Sequence, residues 1–419
     1  MSKFVINGGR RLSGEIPVMG AKNAALKILA ASMLSQKAIV IKNCPNIEEV
    51  NRLLELMGQL GSEYSWDADT LTIQTEKIKS VDMDPALVEK IRASVLLIGP
   101  MLARVGEVKM FHPGGCAIGK RPIDLFVDGF RKFGAEVKED HLGYVFKIKN
   151  NLQGMTYIFP KISVTVTESL MMTACLAEGT TVLKNAACEP EIPALAEYLN
   201  KVGAKIKGAG THTITIEGVA ELGGDVYDVV PDRIEAGSFA ILGALAGEDL
   251  KVTRCRPEHL EALWTVFDKL GVDYQLGEDY VQIFGGKKLK AVNIKTHEYP
   301  GFPTDLQAPM TVLLTQSEGL SMVFETIFES RLFYTDMLNQ MGAQIIMCDP
   351  HRVIVNGPHK LFGRHLISPD LRAGFAMVLA ALIAEGETDI GNIYQIDRGY
   401  SSIEKRLQKV GADIKRVVE

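Results

Sequence analysis

Apolar and polar positions recur along the 419-residue chain in six similar stretches. In each, an apolar helical run leads into a strand: Ala24 to Ile41, Val95 to Met110, Leu170 to Leu183, Ala236 to Val252, Met310 to Phe324 and Gly374 to Ile390. An amphipathic helix follows and ends in a glycine, a small or branched residue and another strand. The glycines are Gly61, Gly134, Gly203, Gly271, Gly342 and Gly411, spaced by 68 to 73 residues. Ser62, Ala135, Ala204, Val272, Ala343 and Ala412 follow them. A repeat of this length marks a supersecondary unit that buries its apolar face against its neighbours. A Gly–x3–Leu–x–Gly connector joins successive units: Gly218, Leu222 and Gly224; Gly357, Leu361 and Gly363; and the near match Gly285, Leu289 and Ala291.

The two helices of a unit differ in pattern. Runs such as 171–177 and 376–382 are apolar nearly all round, which predicts helices buried inside a domain. Glu48–Leu60 and Glu258–Leu270 carry one apolar stripe and a charged face, which predicts outer helices. Three units then form an α/β domain with three helices at its centre and sheets around them. The sixth unit stops short, one strand after Gly411. Phe4-Val5-Ile6-Asn7-Gly8 with Leu12 and Gly14 matches Val353-Ile354-Val355-Asn356-Gly357 with Leu361 and Gly363, so the N-terminus is expected to complete it. Six units exceed the usual size of one core, which predicts two domains of three units. The expected boundaries give residues 22–230 to one domain and residues 1–21 with 231–419 to the other.

Composition narrows the class. Apolar residues make up 47% and charged residues 23%, close to globular averages, which fits a well-packed enzyme. The net charge of −5 implies no general affinity for nucleic acid or for a membrane surface. Ala24–Leu34 and Ala376–Ala384 are too short to span a bilayer. Met1-Ser2-Lys3 leads directly into a strand with no secretory pattern. The six cysteines show no metal-ligand spacing, which predicts a reducing cytoplasm and no structural metal. A monomer is compatible with this pattern.

Polar and charged residues precede each buried helix: Lys22 and Asn23; Arg92; Lys161 and Ser163; Asp232 and Arg233; Thr304 and Asp305; Asp370 and Arg372. Singly, Ser163, Thr304 and Asp370 read as helix caps. Taken together, three converging helix starts would present amide donors and positive dipole ends to an anion. Arg121, Arg331 and Arg398 stand at the expected starts of outer helices, and arginine's planar fork suits phosphate and carboxylate. A cleft between two such faces would suit a phosphorylated substrate.

The densest signal runs from His112 to Leu125. Gly114 to Lys120 satisfies half of a nucleotide-binding phosphate loop. Arg121 stands where that motif needs a hydroxyl for magnesium, and Pro122 where its helix should have begun, so this reading fails. What remains is a glycine loop that presents Cys116 among His112, Lys120 and Arg121, and positive neighbours favour a thiolate. Cys44, Cys175, Cys188, Cys255 and Cys348 read instead as small buried residues.

Five stretches together resemble one family. They are Gly20-Ala21-Lys22-Asn23-Ala24-Ala25, the Cys116 loop through Leu125, Pro231-Asp232-Arg233-Ile234-Glu235, Tyr299 to Asp305, and Asp397-Arg398-Gly399-Tyr400. The family is that of the enolpyruvyl transferases acting on UDP-N-acetylglucosamine, and the resemblance covers the whole chain. It implies two inside-out α/β barrel domains of three βαβαββ units each, with the active site in the interdomain cleft. The implied reaction moves the enolpyruvyl group of phosphoenolpyruvate to the sugar 3-hydroxyl, releases phosphate and uses no cofactor or metal. By the family pattern Lys22, Arg121 and Arg398 hold the phosphate, and Arg331 and Arg372 neutralise the carboxylate or the phosphate. Asp305 is the implied base and Cys116 the implied proton donor, which can also form a covalent adduct. Asn23 binds the sugar. Arg121, Pro122, Ile123, Asp124 and Leu125, with Lys161, Ser163 and Val164, hold uracil and diphosphate. Arg92, Thr165, Ile327 and Asp370 complete the implied substrate contacts.

Two departures lie on the nucleotide side. Thr165 stands where the family usually has glycine, and Phe126 where it often has histidine. Two alternatives therefore stand beside the transferase: transfer to another acceptor, and a non-catalytic paralogue that binds a nucleotide sugar.

Overall fold

The structure is a computed structural model that describes residues 2–114 and 122–418. The chain forms two compact units. The inserted unit starts at Gly20 and ends at Val230; the terminal unit takes both chain ends, leaving at Met19 and resuming at Pro231. Each unit ties its own ends together. Ala21 N donates to the Val230 carbonyl at 2.7 Å in the inserted unit, and Asp232 N donates to the Met19 carbonyl at 2.9 Å in the terminal unit.

All six repeat glycines are left-handed, with φ from 80° to 114°. Each ends an outer helix in a conformation that a side chain would strain, which is why the same residue type recurs there. The connector's first glycine has a different task. A Cβ on Gly218 would lie 1.5 Å from the Ala177 carbonyl oxygen, and one on Gly8 2.3 Å from those of Ala381 and Ala384. The connector therefore runs directly against the end of a buried helix.

The third repeat shows the unit in full. Thr156–Ile158 pairs parallel with Thr180–Lys184, and the buried helix Val164–Ala174 makes the crossover between them. The outer helix Glu191–Lys201 leads to Lys205–Lys207, and Thr213–Glu217 inserts between that strand and Thr180–Lys184. Four other repeats form four-stranded sheets of the same plan. The second has three strands, with an Asp82–Lys109 bridge in the fourth position. Among the described residues no single sheet closes on itself; separate sheets surround the helices.

The N-terminal strand completes the sixth repeat. Ser2–Asn7 lies antiparallel between Glu387–Gly391 and Asp413–Val418, with Phe4 opposite Ile390 and Arg416. Arg352–Gly357 occupies the same place between Gly319–Phe324 and Gln344–Asp349. The next strand, Leu12–Pro17, pairs parallel with Gly247–Thr253 and so opens the fourth repeat. Val226–Asp228 opens the first in the same way, beside Ile39–Lys42.

At the centre of the terminal unit the helices Arg233–Ala246, Gln307–Leu314 and Leu371–Ile383 pack on one another. In the inserted unit Ile98–Val105 packs on Val164–Ala174, and Lys22–Ser32 on the 3-10 turn Arg92–Leu97. Most side chains of these helices are buried. The outer helix expected at Glu258–Leu270 begins as a 3-10 turn, Pro257–Leu260, before Glu261–Leu270.

Candidate active site

The terminal unit brings three buried-helix starts together around Arg372. Asp370 caps Leu371–Ile383 by accepting from Arg372 N and Ala373 N at 2.9 and 3.1 Å, and Asp232 caps Arg233–Ala246 in the same way. Arg372 follows its cap by two residues and is buried. Its Nε donates to Asp305 Oδ2 at 3.0 Å, and Nη2 lies 3.0 Å from the same oxygen. Nη1 donates to the Tyr400 hydroxyl at 3.1 Å, which lies 3.3 Å from Ser238 Oγ on Arg233–Ala246. Burial pulls the Arg372 pKa down, but Asp305, Tyr400 and Asp232 more than reverse this, and the net shift is upward.

Asp305 stands in the 3-10 turn Thr304–Leu306, which opens directly into Gln307–Leu314. Its second oxygen, Oδ1, accepts from Arg331 Nη2 at 2.8 Å. The carboxylate is thus gripped by two buried guanidiniums, one on each oxygen, while its side chain stays 26% exposed. That is the arrangement of an oriented carboxylate that can still be reached from solvent. Arg331 Nη1 donates to Thr304 Oγ1 at 2.7 Å. Thr304, expected as a cap, instead donates its own hydroxyl to Glu325 Oε2 at 2.8 Å. Ile327 offers its backbone N–H to Glu325 Oε1 at 2.8 Å. Arg398 was expected at the start of an outer helix. It instead terminates the short helix Tyr394–Asp397, where Nη1 donates to Gln395 Oε1 at 2.9 Å.

In the inserted unit Lys22 opens Lys22–Ser32, followed by Asn23, and both are half-buried. The Lys22 ammonium lies 2.8 Å from Glu49 Oε2 on the first turn of Glu48–Leu60. Arg92 opens the 3-10 turn and donates to the Pro122 carbonyl at 3.3 Å. Ile123 precedes the helix Asp124–Lys132, so Asp124 and Leu125 lie in its first turn. Ser163 stands at the N-cap of Val164–Ala174 without a side-chain capping bond, which corrects the expectation of a cap. Lys161 is exposed, and Val164 and Thr165 form the first helical residues. Phe126 is buried.

Cys116, Lys120 and Arg121 lie outside the described residues. Of their loop, His112 is described: its Nε2 is 3.1 Å from the Asp140 carbonyl, and its ring meets Tyr144 edge-on at 5.0 Å. Cys44 and Cys175 are buried, and burial pushes both thiols up to about 12. Burial likewise raises Cys255 to about 11. Cys348 corrects the expectation of burial: it is exposed on Gln344–Asp349, because alternate residues of that strand point outward. Cys188 is half-buried.

Sequence reasoning missed the partners that hold these groups. Glu49, Glu325 and the hydroxyl of Tyr400 had no assigned role. Nor did the buried pair Lys27 and Glu168, whose charged atoms lie 3.1 Å apart. A charged residue inside an apolar helix, as Lys27 and Glu168 both are, was the available signal for the pair.

A model of the family described as EPSP synthase (3-phosphoshikimate 1-carboxyvinyltransferase) matches residues 6–407. Curated relatives named UDP-N-acetylglucosamine 1-carboxyvinyltransferase match along the full chain. The protein of Solibacter usitatus is 46% identical, with all of both chains covered. That of Koribacter versatilis is 45% identical, covering all of this chain and 97% of its own. Among solved structures, the enolpyruvyl transferase NikO from Streptomyces tendae has a TM-score of 0.90 at 24% identity, covering 100% of this chain and 99% of its own. An EPSP synthase from Acinetobacter baumannii has 0.74 at 17%, with full coverage of both. These two show the fold: α/β, of the inside-out enolpyruvyl transferase type. With a family match over nearly its whole length and full-length relatives at 45–46% identity, the chain belongs to the EPSP synthase family of enolpyruvyl transferases, among the UDP-N-acetylglucosamine 1-carboxyvinyltransferases.

Proposed function

We propose that this chain transfers the enolpyruvyl group of phosphoenolpyruvate to the 3-hydroxyl of UDP-N-acetylglucosamine and releases phosphate, the first committed step of peptidoglycan synthesis. The full-length identity of 45–46% to relatives of that name carries the reading. The reaction is read as addition followed by elimination. A proton joins the methylene carbon of the enol while the sugar oxygen bonds to the adjacent carbon and gives up its own proton. The reverse proton loss then re-forms the double bond as phosphate departs.

The side chains fit these demands in kind. Asp305, oriented by two arginines yet reachable, is assigned as the base for the sugar hydroxyl. Lys22, Arg121 and Arg398 are assigned to the phosphate, and Arg331 and Arg372 to charge on the carboxylate or phosphate. Fixed cations contribute most where charge develops in the intermediate. Cys116 is assigned as the proton donor to the methylene carbon. Asn23, Arg92, Pro122, Ile123, Asp124, Leu125, Lys161, Ser163, Val164, Thr165, Ile327 and Asp370 are assigned to substrate binding. A cytoplasmic location is part of this reading. No helix among the described residues is long and apolar enough to cross a membrane.

Phosphate release tests the reading. Purified protein with phosphoenolpyruvate should release phosphate when UDP-N-acetylglucosamine is added. Release with shikimate 3-phosphate or another sugar nucleotide instead would reassign the acceptor. Tight sugar binding with no release from any acceptor would make the chain a binding protein.

A further inference from the structure

Glu325 is fully buried, yet among the described residues no lysine or arginine pairs with it directly. It lies just beyond the strand Gly319–Phe324, before the segment that carries Ile327 and Arg331. Its two oxygens face different groups. Oε1 accepts three donors: Thr296 Oγ1 at 3.1 Å, Ile327 N at 2.8 Å and Phe328 N at 3.1 Å. Oε2 accepts the Thr304 hydroxyl at 2.8 Å.

The second contact sets a direction. A threonine hydroxyl has one proton and two acceptor lone pairs. With that proton held by Glu325, Thr304 Oγ1 can only accept from its other neighbour, Arg331 Nη1 at 2.7 Å. Arg331 then turns Nη2 to Asp305 Oδ1 at 2.8 Å. Protons therefore run outward from Arg331: through Nη1 and the Thr304 hydroxyl to the Glu325 carboxylate on one side, and through Nη2 to the Asp305 carboxylate on the other. A buried carboxylate is costly unless its bonds are put to use, and these four donors satisfy it.

We infer that Glu325 is a positioning residue: through the Thr304 hydroxyl it fixes Arg331 on Asp305, and through its other oxygen it sets the Ile327–Phe328 backbone. This rests on the enolpyruvyl transfer reading, which places Asp305 and Arg331 at the reaction and Ile327 among the substrate contacts. The two oxygens therefore serve two sides of the chemistry, and one substitution separates them. In Glu325→Gln the three donors on Oε1 hold the amide oxygen where it is. The amide nitrogen must then face Thr304 and donate to it. Thr304 Oγ1 then faces a donor on each side, its own proton has to swing away from both and loses the carboxylate that held it, and the bond from Arg331 to that oxygen weakens. The Ile327 side stays as it was.

Steady-state kinetics test this. Glu325→Gln should lower kcat about 10- to 100-fold, the effect of misplacing a reacting group by roughly 1 Å. The KM for UDP-N-acetylglucosamine should stay within about twofold. Thr304→Val should fall as far, Thr304→Ser should keep most of the activity, and the Glu325→Gln/Thr304→Val double variant should be no worse than either single one. Losses that multiply in the double variant, wild-type kcat in Glu325→Gln, or a change confined to the sugar KM would overturn the inference. Thr304→Val and Thr304→Ser carry the test alone if Glu325→Gln does not fold. A crystal structure of Glu325→Gln gives a readout independent of turnover: Arg331 should have left Thr304 while Ile327 stays in place. Arg331 unmoved would sink the inference even for an inactive wild type, whereas an inactive wild type with Arg331 displaced in the variant would sink only the transfer reading.

Discussion

Glu168 should make the inserted unit less stable as pH rises toward neutrality. It sits fully buried on Val164–Ala174, with Oε2 3.1 Å from Lys27 Nζ on Lys22–Ser32. Burial raises its pKa, Lys27 lowers it, and Glu191 and Glu189 raise it again, leaving it pushed up to about 7 from an ordinary 4.5. Between those two pH values the folded state binds more protons than the unfolded state. The contribution to stability is therefore greatest below pH 4.5 and is lost as pH rises through 7. At about 1.4 kcal/mol per pKa unit, the loss is about 3 kcal/mol. Glu168→Gln keeps the size and removes the titration. The chain has two tryptophans: Trp66 in the inserted unit and Trp264 in the terminal unit. In a Trp264→Phe background, fluorescence during urea unfolding therefore reports the unit that holds Glu168. The stability difference, Gln minus Glu, should grow by about 3 kcal/mol between pH 4.5 and pH 8. A difference that stays flat across this range would refute the reasoning, because Glu168 would then ionise as readily folded as unfolded.

Cys116→Ala should abolish phosphate release, while Cys175→Ala, at the C-terminal end of a buried helix, should leave kcat nearly unchanged; equal effects would remove Cys116 from its assigned role. Asp305→Asn should lower kcat by about 100- to 10,000-fold, as loss of a general base does. A drop below about tenfold would reassign the base. Gly218→Ala should destabilise the inserted unit by about 3 kcal/mol in urea unfolding, since its Cβ meets the Ala177 carbonyl oxygen at 1.5 Å and backbone cannot yield as a side chain does. A wild-type midpoint would show that this helix end can move.

Backbone devices were the most legible part of the chain. A left-handed helix end demands one residue type, so six glycines announced six repeats without any knowledge of contacts. The match between Phe4–Gly8 and Val353–Gly357 placed the first strand in the last repeat because equivalent strands must carry equivalent burial. Asp305, Arg331 and Arg372 were legible as chemistry but not as a cluster. Asp305 and Arg372 are 67 residues apart, and only the packing of buried helices brings them to 3.0 Å. Glu325 and Tyr400 were invisible as partners, since a strand-end glutamate and a tyrosine have many ordinary uses. The side-chain caps divided by geometry: Asp370 and Asp232 accept from amides in the first turn ahead of them, while Thr304 is drawn away by Glu325 and Arg331.

The central claim concerns which bond is made. Incubation with phosphoenolpyruvate carrying carbon-13 at its central carbon, together with UDP-N-acetylglucosamine, allows that bond to be followed directly by NMR. The account predicts that the label leaves the phosphate ester and appears as a vinyl ether on the sugar 3-oxygen, one phosphate released for each ether formed. Label recovered as pyruvate, left in phosphoenolpyruvate, or joined to another atom would contradict it.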